Sequence, residues 1–299
     1  MAGKLKIGKL VVIGVGLIGA SFALALKRAR AVRHVVGVGR TRRNLSAARR
    51  LKVIDEIQSD AGRAVRDADL VLLATPVGQM AAVMAAIAPH LPPHAVVTDG
   101  GSTKRDVLAC ARRFFPDARF RRFVPAHPIS GTEKSGAAAG FPELYRDRCV
   151  ILTPQPETDA DALRLVKRAW TACGARVVTL DAEEHDGIFA AVSHLPHVVA
   201  FALVNSLARR RDAGRVLGFS GGGLQDTVRI AGSSPEMWAD ICVANRDVLL
   251  GALDDYEDAL EEARAAIEQG DAEALKQLFE SARTAREKWL LKKSAEPRG

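Results

Sequence analysis

Between Lys9 and about Leu180, short β-branched runs alternate with helix-forming stretches: KLVVIGVG, HVVGVG, DLVLLATP, AVVTDGG, RFVPAHP, CVILTP and ARVVTL. Strands that alternate with helices assemble as βαβ units around a mostly parallel sheet. The runs are nearly continuous in apolar residues, as strands covered on both faces must be. A doubly wound α/β domain over residues 1–180 is therefore expected. After Thr179 the strand signals stop. From Asp181 to Leu291 the pattern is helical, broken at Gly214, at GFSGGG and at Ser233-Ser234-Pro235. Asp181, with Glu184 three residues on, marks an N-cap. Segments such as LLGALDDYEDALEEARAAIEQG place apolar residues at i, i+3 and i+4 with charges opposite. An all-helical second domain, 181–291, and a flexible tail, 292–299, complete the expected division.

At 299 residues the chain is long enough for two cores. Apolar residues make up 48% and charged residues 26%. No stretch is expected to stay free of charge long enough to cross a bilayer. The apolar run near the N-terminus leads straight into glycines with no cleavage site, so it reads as a first strand and not a signal peptide. Cys110, Cys149, Cys173 and Cys242 are far apart and form no CxxC pair, which fits a reducing cytoplasm better than a disulfide or zinc framework. The net charge of +8 is spread over separate clusters, Lys27 to Arg30, Arg40 to Arg43, Arg121 with Arg122, and Arg209 to Arg211. Scattered cations without interleaved aromatics favour small anionic ligands over nucleic acid.

Gly14, Gly16 and Gly19 form G-x-G-x-x-G directly after KLVVI and at the head of a helix beginning Leu17-Ile18. That context suits a pyrophosphate: a tight turn, close backbone approach, and free N–H groups at a helix N-terminus. It identifies the first domain as a Rossmann-type dinucleotide-binding domain. An NAD-preferring site usually ends its second strand in Asp or Glu. Here HVVGVG is followed by Arg40, Thr41, Arg42 and Arg43, which offer positive charge to a 2'-phosphate. NADP is expected over NAD; the competing reading makes these arginines a solvated helix start. Thr75 and Pro76 close one strand run, and Asp99-Gly100-Gly101-Ser102-Thr103-Lys104 closes another, at the edge where open α/β sheets bind ligands. Ser102 either reaches the reaction centre or caps the next helix.

The run RFVPAHP brings His127 to the same edge, ahead of the polar loop PISGTEKSG. Oxidation of an alcohol requires a base for the hydroxyl proton, and neutral histidine titrates in the useful range. His194 and His197, three apart in AVSHLPHVVAFALVNSL, share a helix face, where they either line a pocket or form a buried structural pair. No carboxylate completes a metal set there, so no metal is expected. Arg229 follows a glycine-rich helix entry and precedes Trp238; it either grips a carboxylate or forms a surface ion pair.

Together HPISGTEKSG, SHLPHVVAFAL and GGGLQDTVRIAGSSPEMWADI, behind the glycine fingerprint and DGGSTK, resemble successive motifs of the prephenate/arogenate dehydrogenase family of tyrosine biosynthesis. The resemblance extends from about Lys9 to Trp289. It implies oxidative decarboxylation of prephenate to 4-hydroxyphenylpyruvate, or of arogenate to tyrosine, by a Rossmann domain joined to a helical substrate and dimerisation domain, hence a homodimer. On the matching motifs, His127 accepts the ring-hydroxyl proton and Ser102 orients the hydroxyl and the nicotinamide. Arg229 holds a substrate carboxylate. His194 and His197 line the pocket, with Glu133 and Trp238 at its edge. Two departures stand out. Leu224-Gln225 replaces an aromatic and a basic residue common in the family, and Arg40 follows the second strand where NAD-using members often carry an acid. Rival readings are a two-domain reductase of the β-hydroxyacid dehydrogenase type, which would require a lysine on the first long helix of the second domain, and a non-catalytic dinucleotide sensor.

Overall fold

The computed structural model describes residues 5–132 and 134–295. Six strands form one parallel sheet in the order β3-β2-β1-β4-β5-β6: β1 (Ile7–Ile13), β2 (Val32–Val38), β3 (Glu56–Gln58), β4 (Leu70–Leu73), β5 (Val96–Asp99) and β6 (Phe123–Val124). The near-continuous apolar runs are explained by burial on both faces: Leu10, Val11, Val12, Val35, Val36 and Leu70 to Leu73 are all fully enclosed. One apolar layer packs Phe22 and Leu26 of the helix Leu17–Arg28 against the sheet; the other brings in Met80, Met84 and Val107. The chain order reverses between β1 and β4. The crevice at such a switch point is where open α/β sheets take ligands.

The run RFVPAHP, expected as a single strand, is divided. β6 ends at Val124, and Ala126–Pro128 forms β7 in a second sheet of order β7-β8-β9, antiparallel to β8 (Cys149–Leu152), which is parallel to β9 (Arg176–Thr179). The switch falls at Pro125, which has no N–H to extend a ladder. The next donor, Ala126 N, goes to the Asp99 carboxylate at 2.9 Å instead of a neighbouring strand. β3 had no counterpart in the apolar runs, because Glu-Ile-Gln is an edge strand with one apolar residue.

After β9 the described chain is helical. Asp181 caps the helix Ala182–Phe189 by accepting from Glu183 N at 2.8 Å. A π-helical turn, Ala190–His194, joins it to Leu195–Ala208, with Pro196 in the first turn of that helix. π turns re-aim side chains and recur at functional sites. The stretch Ala182–Ala208 is long and apolar enough, by length and composition, to cross a membrane, contrary to the expectation from sequence. Ser193, His194, Pro196 and His197 interrupt the apolar residues there without adding formal charge, so no long unbroken apolar run announces the stretch.

Packing divides the chain into two compact units, 1–246 and 247–299, and not at residue 180 where the secondary-structure class changes. The second unit holds most of a pair of 24-residue helices, Arg246–Gln269 and Ala272–Ala295, joined at Gly270, whose φ of +64° is one that glycine adopts without strain. Helix continues to Ala295 where a flexible tail from residue 292 was expected. Leu290, Leu291, Lys292 and Lys293 are strong helix formers, and no glycine or proline interrupts the run. Leu250, Leu260, Ile267, Phe279, Trp289 and Leu291 in this unit are exposed.

Candidate functional site

The fingerprint glycines each meet a separate steric demand. Gly14 has φ +97°, and a Cβ there would stand 2.4 Å from Ala74 O across the switch point. A Cβ on Gly19 would stand 2.4 Å from Gly14 O, so the helix could not approach the strand. At Gly16 no described atom lies within 4 Å of a Cβ position, and no side chain caps the helix that begins Leu17-Ile18. The first-turn N–H groups therefore face open space beside a backbone that a ligand can approach. Thr75, just beyond β4, has a buried hydroxyl with no hydrogen-bond partner among the described residues. Pro76 starts the turn Val77–Gln79. A glycine cradle, a bare helix N-terminus and an orphaned hydroxyl at one switch point fit a dinucleotide.

Beyond β2 and β3 lies a cavity of about 870 Å³ lined by Arg40, Arg42, Arg49 and Arg50 with Ser46 and Ser59. Thr41 is the N-cap of Arg42–Arg50 but makes no side-chain cap bond. Arg40 is largely exposed and lies 3.6 Å from Glu236.

The loop after β5 is built on a buried ion pair. Lys104 and Asp99 are both fully enclosed and bonded to each other, and Lys104 Nζ also donates to Ala126 O at 2.9 Å. Asp99 accepts from Gly101 N at 2.8 Å and from Ala126 N. This pair ties the end of β5 to the start of β7 and so sets the position of His127. The N-cap of the helix Arg105–Phe114 is Lys104, which leaves Ser102 out of the capping role.

His127 lies at the wall of a cavity of about 320 Å³, together with Ser130, Thr132, His197, Arg229 and Trp238. Burial, with help from His185, Lys104 and His194, pushes the His127 imidazolium well below its ordinary range, so the ring is neutral and able to accept a proton. His197 donates Nδ1–H to Ser193 O at 2.8 Å and stacks on Trp238 with centroids 3.5 Å apart. That leaves its Nε2 as an acceptor. Burial lowers the His197 pKa and nearby Arg229 adds to the effect, against the Ser193 bond. Arg229 opens the short 3-10 turn Arg229–Gly232.

Residues 22–179 match the family model described as prephenate dehydrogenase, nucleotide-binding domain, and residues 181–281 match prephenate dehydrogenase, dimerization domain. This chain belongs to the prephenate dehydrogenase family. Among its relatives, the cyclohexadienyl dehydrogenase of Zymomonas mobilis is 37% identical over 93% of this chain and 94% of its own length. The prephenate dehydrogenase of Bacillus subtilis is 36% identical over 93% of this chain and 75% of its own. A crystal structure of prephenate dehydrogenase from A. aeolicus, in complex with hydroxyphenyl propionate and NAD+, superposes with a TM-score of 0.88 at 33% identity, covering 96% of this chain and 99% of that one. The chain is thus an oxidoreductase with a parallel-sheet nucleotide-binding domain followed by a helical dimerization domain.

Of the residues that the prephenate dehydrogenase motifs single out, His127, His197, Arg229 and Trp238 share one cavity wall. His194 does not line it. It is 1% exposed, contacts Asn245 Nδ2 at 3.3 Å and meets the Trp238 ring edge-on at 6.1 Å, because the π turn directs it inward. Ser102 is half-buried in the β5 loop and is not part of that wall. Glu133 lies outside the described residues. Sequence reasoning gave no role to His185 and Asp186. Yet His127 Nδ1 lies 2.8 Å from His185 Nε2, and His185 Nδ1 lies 2.8 Å from Asp186 Oδ1. A signal was available: Ala182, His185, Asp186 and Phe189 occupy i, i+3, i+4 and i+7, the buried stripe of their helix, and two of the four are ionisable.

Proposed function

We propose that this chain is an NAD(P)-dependent prephenate or arogenate dehydrogenase, converting prephenate to 4-hydroxyphenylpyruvate or arogenate to tyrosine. The observation that carries the reading is a neutral, half-buried His127 sharing one cavity with His197 and Arg229, while its neighbour Pro128 and Ile18 of the dinucleotide cradle both come within 4 Å of a Cβ position on Gly100. A base and a carboxylate-binding cation at the pocket are what a substrate with a ring hydroxyl and carboxylates requires.

Gly14, Gly16 and Gly19, with the Leu17 and Ile18 N–H groups and Thr75-Pro76, would hold the dinucleotide. It supplies the hydride acceptor when bound. Arg229 grips a substrate carboxylate, and His197, stacked on Trp238, accepts a hydrogen bond through Nε2. His194 supports Trp238 from behind. Ser102 orients the ring hydroxyl, as the family motif implies. As the ring carbon gives up its hydride, its hydroxyl becomes acidic and His127 Nε2 accepts the proton. The carbon–carbon bond to the departing carbon dioxide breaks with its electron pair entering the ring. The aromatic product's oxygen then takes the proton back. The protein chiefly places these groups in reach of one another, which is where most of the rate gain arises.

Arg40, Thr41 and Arg42 make NADP the preferred cofactor. An arginine-lined cavity at the end of β2, where NAD sites place an acid, supports this choice. Exposed Val192, Phe219 and Val243 support a homodimer formed through the helical domain, and a chain in which none of the four cysteines is in a disulfide supports a cytoplasmic location.

The test is the initial rate of nicotinamide reduction with prephenate and with arogenate, each with NAD and with NADP, for wild type and His127→Ala. A clear wild-type rate that the substitution abolishes supports the reading, and the best pair names substrate and cofactor. Folded protein that binds a dinucleotide and turns over neither substrate refutes it in favour of a sensor or another reductase.

A further inference from the structure

His127 is the outermost member of a three-residue chain whose hydrogens admit one assignment. Asp186 is 1% exposed and accepts from four donors: Lys104 N at 2.8 Å, Arg105 N at 2.9 Å, Arg105 Nε at 3.4 Å, and His185 at 2.8 Å. Burial works against its charge, but the His185 bond and the two backbone N–H groups outweigh that and hold its pKa below the usual carboxylate range. An ionised carboxylate is an acceptor only, so His185 Nδ1 carries a hydrogen. With His185 neutral, its Nε2 is then a lone pair. His127 Nδ1, 2.8 Å away, must carry a hydrogen to meet it. With His127 neutral as well, Nε2 is left as its only lone pair.

We propose that His185 and Asp186 are positioning residues that lock His127 in the tautomer whose Nε2 is free to take the substrate's proton, and that Asp186 compensates the charge arriving there through His185. Phe189 fixes both rings, with centroids 4.8 Å from His127 and 4.6 Å from His185. The charged and titratable groups around the pair are Lys104 and Asp99 of the β5 loop, His194 of the π turn, and Asp186 itself. Lys104 and His194 oppose a proton on His127, so a compensating carboxylate one imidazole away has a definite task. This inference rests on the dehydrogenase reading for the substrate, but the tautomer does not.

Two readouts separate these. Long-range ¹H–¹⁵N spectra of the full-length protein without substrate report which nitrogen of each ring is protonated. Wild type is expected to show Nδ1–H on both His127 and His185. Asp186 Oδ1 accepts from both Lys104 N and His185 Nδ1, and Oδ2 accepts from Arg105 N, so in Asp186→Asn the amide oxygen keeps the Oδ1 bonds and the NH₂ faces Arg105. The Nδ1–H tautomers are retained in that variant, and what it lacks is the carboxylate charge. The kcat of this variant is expected to fall about 100-fold or more, because no carboxylate then compensates the imidazolium that forms on His127. KM and dinucleotide affinity should stay within about twofold, since neither ligand touches Asp186. If Asp186→Asn does not fold, His185→Gln, which offers His127 an acceptor oxygen, should retain about tenfold more kcat than His185→Leu. Nε2–H on His127 in the wild type, or equal kcat for the Gln and Leu variants, overturns the proposal. The expected tautomers in a protein inactive on prephenate and arogenate would leave the proposal standing and sink the substrate assignment.

Discussion

Replacing Lys104 by methionine removes one half of a fully enclosed ion pair and leaves Asp99 charged in an apolar interior. Breaking such a pair from one side costs about 3–5 kcal/mol, because the remaining charge has lost its partner and cannot regain water. Asp99 still accepts from Gly101 N and Ala126 N, which offsets part of the loss and points to about 3 kcal/mol. The substitution also removes the donor to Ala126 O, one residue before His127. A shift of about 1 Å in the base is enough to cost about 100-fold in rate, so kcat should fall along with stability. Denaturant unfolding at fixed protein concentration measures the first effect, and the double variant Asp99→Asn/Lys104→Met gives the coupling. The double variant should be more stable than Lys104→Met alone, since it buries no unpaired charge. A cost below about 1 kcal/mol for Lys104→Met, or further destabilisation on adding Asp99→Asn, would refute the reasoning.

Three further expectations follow from the same geometry. Arg42→Ala, lining the arginine-rich cavity beyond β2, should raise KM for NADP about tenfold, equivalent to about 1.4 kcal/mol, and leave KM for NAD nearly unchanged; equal effects in steady-state kinetics would mean that the cavity does not hold a 2'-phosphate. Arg229→Ala should raise substrate KM at least about tenfold without altering dinucleotide affinity, as measured by fluorescence titration. Burial depresses the His194 pKa to about 4 from an unfolded value of 6.5, with Asp186 opposing the shift. Since the folded pKa is the lower one, stability is full above about pH 6.5 and declines as pH falls toward 4. The loss over that window is about 3 kcal/mol, and unfolding at a series of pH values should show a shallower decline for His194→Phe.

The strands that carry the dinucleotide cradle were legible because burial on both faces forces unbroken apolar runs, and the glycines because steric demand at Gly14 and Gly19 leaves no alternative. His127 was legible from its place after an apolar run, although the run changes sheets at Pro125, a break that depends on where Asp99 offers an acceptor. For His194 the spacing of three left a pocket position and a buried structural position both open, and the π turn directs it inward to Asn245 and Trp238. His185 and Asp186 went unassigned for a different reason: 58 residues separate His185 from His127, and only the folded chain brings them within a hydrogen bond. Asp99 and Lys104 stand at the two ends of DGGSTK, but nothing local in the sequence says that both are buried and paired.

The packing division after Arg246 bears on how such enzymes can be recombined. A crossover at residue 180, natural from the change of secondary structure, would draw β5 and β7 from one parent and the helix of His185 and Asp186 from another. The carboxylate clamp on the Lys104 and Arg105 N–H groups would then join surfaces that had not been selected together. A crossover near 246 keeps the base, its two supports and the cradle in a single inheritance. Libraries built with the later junction should yield active hybrids more often than those built with the earlier one.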